Sequence, residues 1–120
     1  MQIQQRDIIN LVSVAQVKRS MVENILQPNS TTIEKLRQHC NAVHPSHIRF
    51  LCYEYLSGQG WSSVRIGKLF DRHHASILSG LIKIKAIRDI EVRSGKPFFE
   101  DLGIKDYRTQ GFQALGDQFG

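Results

Sequence analysis

Three groups of residues in the sequence carry side chains suited to chemistry. His39, Cys40, His44 and His47 lie within nine residues, with Cys52 a little beyond. Imidazole and thiolate are zinc ligands, and a structural site needs four of them, usually as two closely spaced pairs. The His44/His47 and His47/Cys52 spacings are workable, but no second cysteine or histidine pair lies elsewhere. The expectation is histidines at helix ends and a buried Cys52, with no metal and no other cofactor. Asp71, His73 and Ser76 are the residue types of an activated serine. No G-x-S-x-G, no HExxH and no paired carboxylates on one helical face accompany them. Nothing supplies an oxyanion hole or a pocket, so no enzyme is expected. The third group is cationic. Arg65, Lys68, Arg72, Lys83, Lys85 and Arg88 stand within residues 61–88 against Asp71 alone, a surplus equal to the +5 of the whole chain. Residues 94–120 hold three cations against four carboxylates. Cations gathered in one segment suit a polyanion.

These groups need a scaffold, and composition bounds it. With 120 residues, 41% apolar and 22% charged, the chain has material for one hydrophobic core. No apolar run approaches the roughly 18 residues of a membrane span, so no membrane is expected as partner. Met1-Gln2-Ile3-Gln4-Gln5-Arg6 is not followed by an uninterrupted apolar run, so no secretory signal is expected. Cys40 and Cys52 form neither a framework nor a CxxC pair; a cytoplasmic chain with reduced thiols is the expectation.

Helical periodicity dominates. Ile8, Leu11, Val12, Ala15, Val22, Ile25 and Leu26 predict a helix over 7–26, ended by Pro28. Thr31 and Glu34 have capping-box spacing, which predicts a short helix to about His39. Residues 40–44 read as a loop. Pro45 suits a first helical turn, and Ile48, Leu51, Cys52, Tyr55 and Leu56 predict one apolar face as far as Ser57, with Gly58 as the residue just past the end. Ser62 is a good N-cap, and Trp61 and Ile66 sit at the positions of a hydrophobic staple. A helix of about two turns follows over 63–70, then a tight connection, Asp71-Arg72-His73. A longer helix runs from His74 to Glu91 or Val92. On it Ile77, Leu81 and Ile84 form a stripe flanked by Leu78 and Ile82, with Ala75, Ser76, Ser79, Gly80 and Lys83 on the other side. Beyond Gly95 the pattern fades to a short turn around Phe98–Leu102. Almost nothing reads as strand, so the predicted class is all-α: a helical domain over 1–94 and a tail or arm over 95–120 that packs its aromatics on the body or a partner.

A short helix, a tight turn and a longer helix make the helix-turn-helix layout. Gly67 falls where the first helix closely approaches the second. Ser76, Ser79 and Lys83 would then face outward, with Arg72, His73 and Ala75 near the helix start; these are short polar and basic groups that suit a major groove. Trp61 and Phe70 fall on inward positions and are expected in the core.

His47-Ile-Arg-Phe-Leu-Cys-Tyr-Glu-Tyr-Leu56, Ile66-Gly-Lys-Leu-Phe70 and Asp71-Arg-His-His-Ala-Ser-Ile-Leu-Ser-Gly80 resemble the C-terminal DNA-binding domain of the bacterial replication initiator DnaA. That family typically carries an IGxxFGGRDHTTVLHA run. Ile66, Gly67 and Phe70 match its opening, and Arg72, His74, Ser76, Ile77 and Leu78 match or nearly match later positions. Ile33-Glu-Lys-Leu36 looks like its VxDL helix and His44-Pro45 like its RP helix start. The resemblance covers about residues 21–90. It implies a Trp-repressor-like helical fold, here with an extra N-terminal helix and a C-terminal tail, and binding to double-stranded DNA. The family's RDHTT segment reads bases, which points to Arg72, His74 and Ser76, with Ser79 near the phosphates. One glycine of the family's double-glycine turn is missing, its aspartate is His73, its first threonine is Ala75, and residues 39–44 hold no arginine. His73 is expected to cap the helix less well than aspartate. No GxxxxGK[ST] run is present, so no nucleotide is expected.

The resulting expectation is a stand-alone, sequence-specific DNA-binding protein in replication or its regulation. Its interface would be Arg72, His73, His74, Ala75, Ser76, Ser79 and Lys83, with Arg65 and Lys68 on the first helix. A homodimer through residues 7–26 or through the tail with Phe112 and Phe119 would place two recognition helices on a two-fold repeat. The competing expectations are a transcriptional regulator, or a non-enzymatic adaptor or oligomerisation protein, of a phage or mobile element.

Overall fold

Ser62 and Thr32 show how the sequence starts helices here. In a computed structural model, which describes residues 22–38 and 42–109, the Ser62 hydroxyl accepts from the Arg65 N–H at 3.2 Å. The Thr32 hydroxyl accepts from the Lys35 N–H at 3.3 Å. The second cap is one residue later than the Thr31 expected, because the helix begins at Ile33. Among the described residues six helices and no strand are found: α1 Glu23–Leu26, α2 Ile33–Leu36, α3 Val43–Gly58, α4 Ser63–Phe70, α5 His74–Ser94 and α6 Phe98–Asp101. The class is all-α. The predicted helix over 7–26 falls outside the described residues except for its last part, and Phe112 and Phe119 fall outside them too.

α3 is the central element. Ile48, Leu51, Cys52, Tyr53 and Leu56 are buried on it, and α5 packs across it and against α4. The crossing depends on Gly80. A Cβ there would lie 2.8 Å from Cδ2 of Tyr53 and 3.1 Å from Cδ1 of Phe50, so only glycine admits the Tyr53 ring at this distance. Gly80 is therefore buried, not on the open side where its neighbours placed it. The buried stripe of α5 is Ile77, Gly80, Ile84 and Ile87. Leu78 and Ile82, expected to flank the core, are instead 47% and 71% exposed.

Four further boundaries differ from those expected, the first being the end of α5, at Ser94 and not at Glu91 or Val92. α3 begins at Val43, inside the expected loop, which puts Pro45 in its first turn. It includes Gly58, and the residue that takes the left-handed conformation is Gly60, at φ 92°. α2 ends at Leu36, short of His39, and its carbonyls are closed by guanidinium groups. Arg49, buried on α3, donates to Leu36 O at 3.3 Å and to Ser46 Oγ at 2.9 Å. Side chains thus satisfy carbonyls that a four-residue helix cannot satisfy internally.

The segment after Gly95 packs on the helices, one of the two outcomes expected of it. As far as residue 109 it belongs to the same body. Phe99 and Ile104 are buried in the core with the helices. Asn29 and Lys105 exchange two hydrogen bonds, Nδ2 to the Lys105 carbonyl at 3.0 Å and the Lys105 N–H to Oδ1 at 2.8 Å. Arg88 is the main fastener. Its guanidinium meets Glu54 at 2.8 Å, Glu91 at 2.9 Å and Asp106 at 2.5 Å. Tyr107 donates its hydroxyl to Glu54 at 2.8 Å. Burial by itself lowers the Arg88 pKa, but the bonds to Glu54, Asp106 and Glu91 outweigh it and leave the pKa raised. Burial, then the bond to Glu54, raises that of Tyr107.

Candidate nucleic-acid interface

The connection between α4 and α5 is built from backbone. Asp71 adopts the left-handed conformation at φ 54° and its N–H bonds the Gly67 carbonyl. The Arg72 N–H reaches the same carbonyl at 2.8 Å, the pattern of a closed helix C-terminus. A Cβ on Gly67 would press into the Arg72 carbonyl oxygen. The close approach expected at Gly67 is thus to the turn that joins the two helices, and glycine is what lets that turn fold flat on α4.

His73 then starts α5. Its Nδ1 accepts from the Ala75 N–H at 3.2 Å, so the imidazole occupies the cap position where it is expected to serve less well than aspartate. This bond uses the lone pair of an unprotonated Nδ1. The His73 and His74 rings lie 4.2 Å apart between centroids. Below them Val64, Gly67, Lys68, Asp71, Arg72, His73 and His74 line an open hollow of about 520 Å³.

The nine expected interface residues are only partly brought together. Lys68, Arg72, His73 and His74 surround the hollow. Ala75, Ser76, Ser79 and Lys83 are exposed further along α5, although the Lys83 ammonium leans to within 5.8 Å of the Phe50 ring. Arg65 is exposed and does not line the hollow; its guanidinium lies 4.5 Å over the Trp61 ring. Arg72 is turned inward. Its Nη2 donates to Gln38 O at 2.7 Å and lies 3.5 Å from Leu36 O, and its Nε is buried without a partner. In this conformation Arg72 joins α5 to the end of α2 and does not present its guanidinium outward. Arg88, counted by sequence among the segment's surface charge, is neutralised by its three carboxylates.

Two outward residues were missed. Leu78 and Ile82 lie on the side of α5 away from the core, and their offset from Ile77 and Ile84 carried that signal. At about 100° per residue, Ile82 falls nearly opposite Ile84 on the helix. Their apolar type suggested burial instead.

The histidine–cysteine group has other partners. The His44 ring donates Nε2–H to Leu102 O at 2.6 Å, and His47 donates Nδ1–H to Val43 O at 2.7 Å; a carbonyl can only accept, which sets both tautomers. The His47 ring packs against Phe98, Phe50 and Phe99. Cys52 is fully buried, and burial pushes its thiol pKa up. His39 and Cys40 lie outside the described residues. Among the described residues no three His, Cys, Asp or Glu side chains converge as metal ligands, and no helix is long and apolar enough to cross a membrane. No family model, no curated protein and no solved structure matches the chain.

Proposed function

We propose that the chain binds double-stranded DNA in a sequence-specific manner. In this reading α4 and α5 act as a helix-turn-helix of the Trp-repressor-like kind, as the resemblance to the DnaA C-terminal domain implies. The N-terminal half of α5 enters the major groove and α4 crosses the backbone. The observation that carries the reading is the outward side of α5 next to its capped start. There His73, His74, Ala75, Ser76, Ser79 and Lys83 are all exposed, with Lys68 beside them across the hollow. At about 1.5 Å per residue its 21 residues extend about 30 Å, and a helix of ordinary diameter fits the major groove. The biological setting proposed is replication or its regulation, in a cytoplasmic chain that acts as a homodimer.

A second reading, an adaptor or oligomerisation protein, is favoured by Leu78, Ile82, Ile90 and Val92, which are 47%, 71%, 47% and 83% exposed. Salt separates the two. Selection from a random duplex library at near-physiological salt should enrich a defined sequence, and affinity for it should fall steeply as salt rises. An apolar protein interface should hold or tighten with salt. Failure to retain any duplex at low salt would refute the DNA reading.

A further inference from the structure

The outward face of α5 is an unusual surface for a groove. At about 100° per residue, Ala75, Leu78, Ile82 and Ala86 fall on one strip opposite the buried Ile77, Ile84 and Ile87. All four are exposed. Lys85 lies on one flank of this strip and Lys83 on the other, both exposed. The polar inventory beside it is short. Residues 71–94 contain no asparagine or glutamine, the side chains that pair bidentately with adenine. Arg72, the side chain near the start of the helix whose type pairs with guanine, has its guanidinium end on the carbonyls of Leu36 and Gln38. Arg88 is held by three carboxylates.

An apolar strip between two cations has a counterpart in the major groove. The groove is bordered by two rows of phosphates, and the apolar group on its floor is the C5-methyl of thymine. We propose that Leu78 and Ile82 read thymine methyl groups, with Lys83 and Lys85 on the flanking phosphates, so that the preferred DNA is set by the positions of thymines. The inference rests on the reading of α5 as the groove helix and adds the chemistry by which that helix discriminates. The charge pattern favours DNA over a protein partner as the occupant. A protein ridge that covered Leu78 and Ile82 would have to supply a carboxylate row on each side, whereas duplex DNA supplies both rows of anions and the methyl groups together.

The test uses the full chain and a random duplex pool prepared in two forms, with thymine and with uracil. The two differ only in the C5-methyl. The thymine pool should yield the tighter selected sequences. Replacing a contacted thymine by uracil in a selected duplex should weaken binding about fourfold per methyl, from the transfer free energy of one methyl-sized group. Ile82→Ser should abolish the thymine–uracil difference at one position while leaving the salt dependence intact. Because Ile82 is 71% exposed, that variant should fold as the parent does. Lys83→Ala should weaken both forms equally. Equal affinity for thymine and uracil duplexes, with binding otherwise sequence-specific, would overturn the proposal and leave the DNA reading standing. Binding to neither form would overturn both. If Ile82→Ser instead dissolves a dimer in sedimentation and leaves the thymine–uracil ratio unchanged, the strip is a contact between copies and the proposal is wrong.

Discussion

Arg88 is where the fold can be tested most sharply, and Arg88→Met is the cleanest perturbation. Methionine keeps most of the arginine stem, so the loss is of charge, of hydrogen bonds and of the guanidinium that lies 5.2 Å over the Phe99 ring. The guanidinium donates to Glu54, Glu91 and Asp106. Its side chain is 12% exposed and those of its partners 14%, 18% and 2%. Removing one member of a buried ion pair costs about 3–5 kcal/mol, because the partner is left uncompensated. Here three carboxylates are left, but two retain some solvent and Glu54 keeps Tyr107 and Arg108. The lower end, about 3 kcal/mol, is expected, and for a domain of this size it corresponds to about 10–20 °C in Tm. Chemical denaturation at neutral pH with parallel thermal melts measures it. A loss below about 1 kcal/mol at neutral pH would refute the assignment of Arg88 as the fastener of residues 98–109. Below its melting temperature the variant should bind duplex with the parent's salt slope, since this cation does not reach the proposed interface.

Gly67→Ala should destabilise by more than the Gly-to-Ala helix gain can offset, a net loss of about 1–3 kcal/mol, because its Cβ meets the Arg72 carbonyl; an unchanged melt would show that the turn can open without cost. Lys83→Ala should weaken every duplex alike and reduce the salt slope by about one unit in a titration of binding against ionic strength; a change of base preference instead would place this lysine on a base. His73→Asp should keep the cap now made by Nδ1 and add a favourable anion at the helix start, a gain of about 0.3–1 kcal/mol by denaturation. The same carboxylate should weaken duplex binding, and a variant that binds as the parent does would put His73 away from the DNA.

The elements that position the proposed interface were legible, and the reasons are local. Ser62 as a cap, Trp61 with Ile66, and the α4 span all follow from side chains acting within a few residues of their own backbone. A close approach at Gly67 was legible too, although what meets it is the Arg72 carbonyl of the turn. What failed depends on distant partners. Gly80 looks like an outward small residue until Tyr53 and Phe50 of α3 are brought against it. Leu78 and Ile82 look like core because of their type, although the phase of the helix already put them outside. Arg88 looks like surface charge until Glu54, 34 residues upstream, and Asp106, 18 downstream, converge on it. The position of Gly60 rather than Gly58 at the helix end is a smaller case, since both glycines satisfy the same local rule.

The two arginines also change what the positive segment can do. Sequence counts six cations over residues 61–88, but Arg88 is neutralised and Arg72 closes the end of α2. Arg65, Lys68, Lys83 and Lys85 remain exposed. At about 0.9 counterions per phosphate contacted, four cations support a salt slope of about −4 for one copy on B-DNA. That is a modest electrostatic contribution; phosphate contacts carry no sequence information, so in the proposed reading base discrimination falls to the outward face of α5. A slope near −4 fits one copy with Arg72 held as it is. A slope near −8 requires either a second copy on the same duplex or recruitment of cations outside the segment, and sedimentation of the complex distinguishes these. A slope near −5, reduced by one in Arg72→Gln, would mean that DNA draws the guanidinium away from Gln38 and that the arginine serves the fold only while the groove is empty.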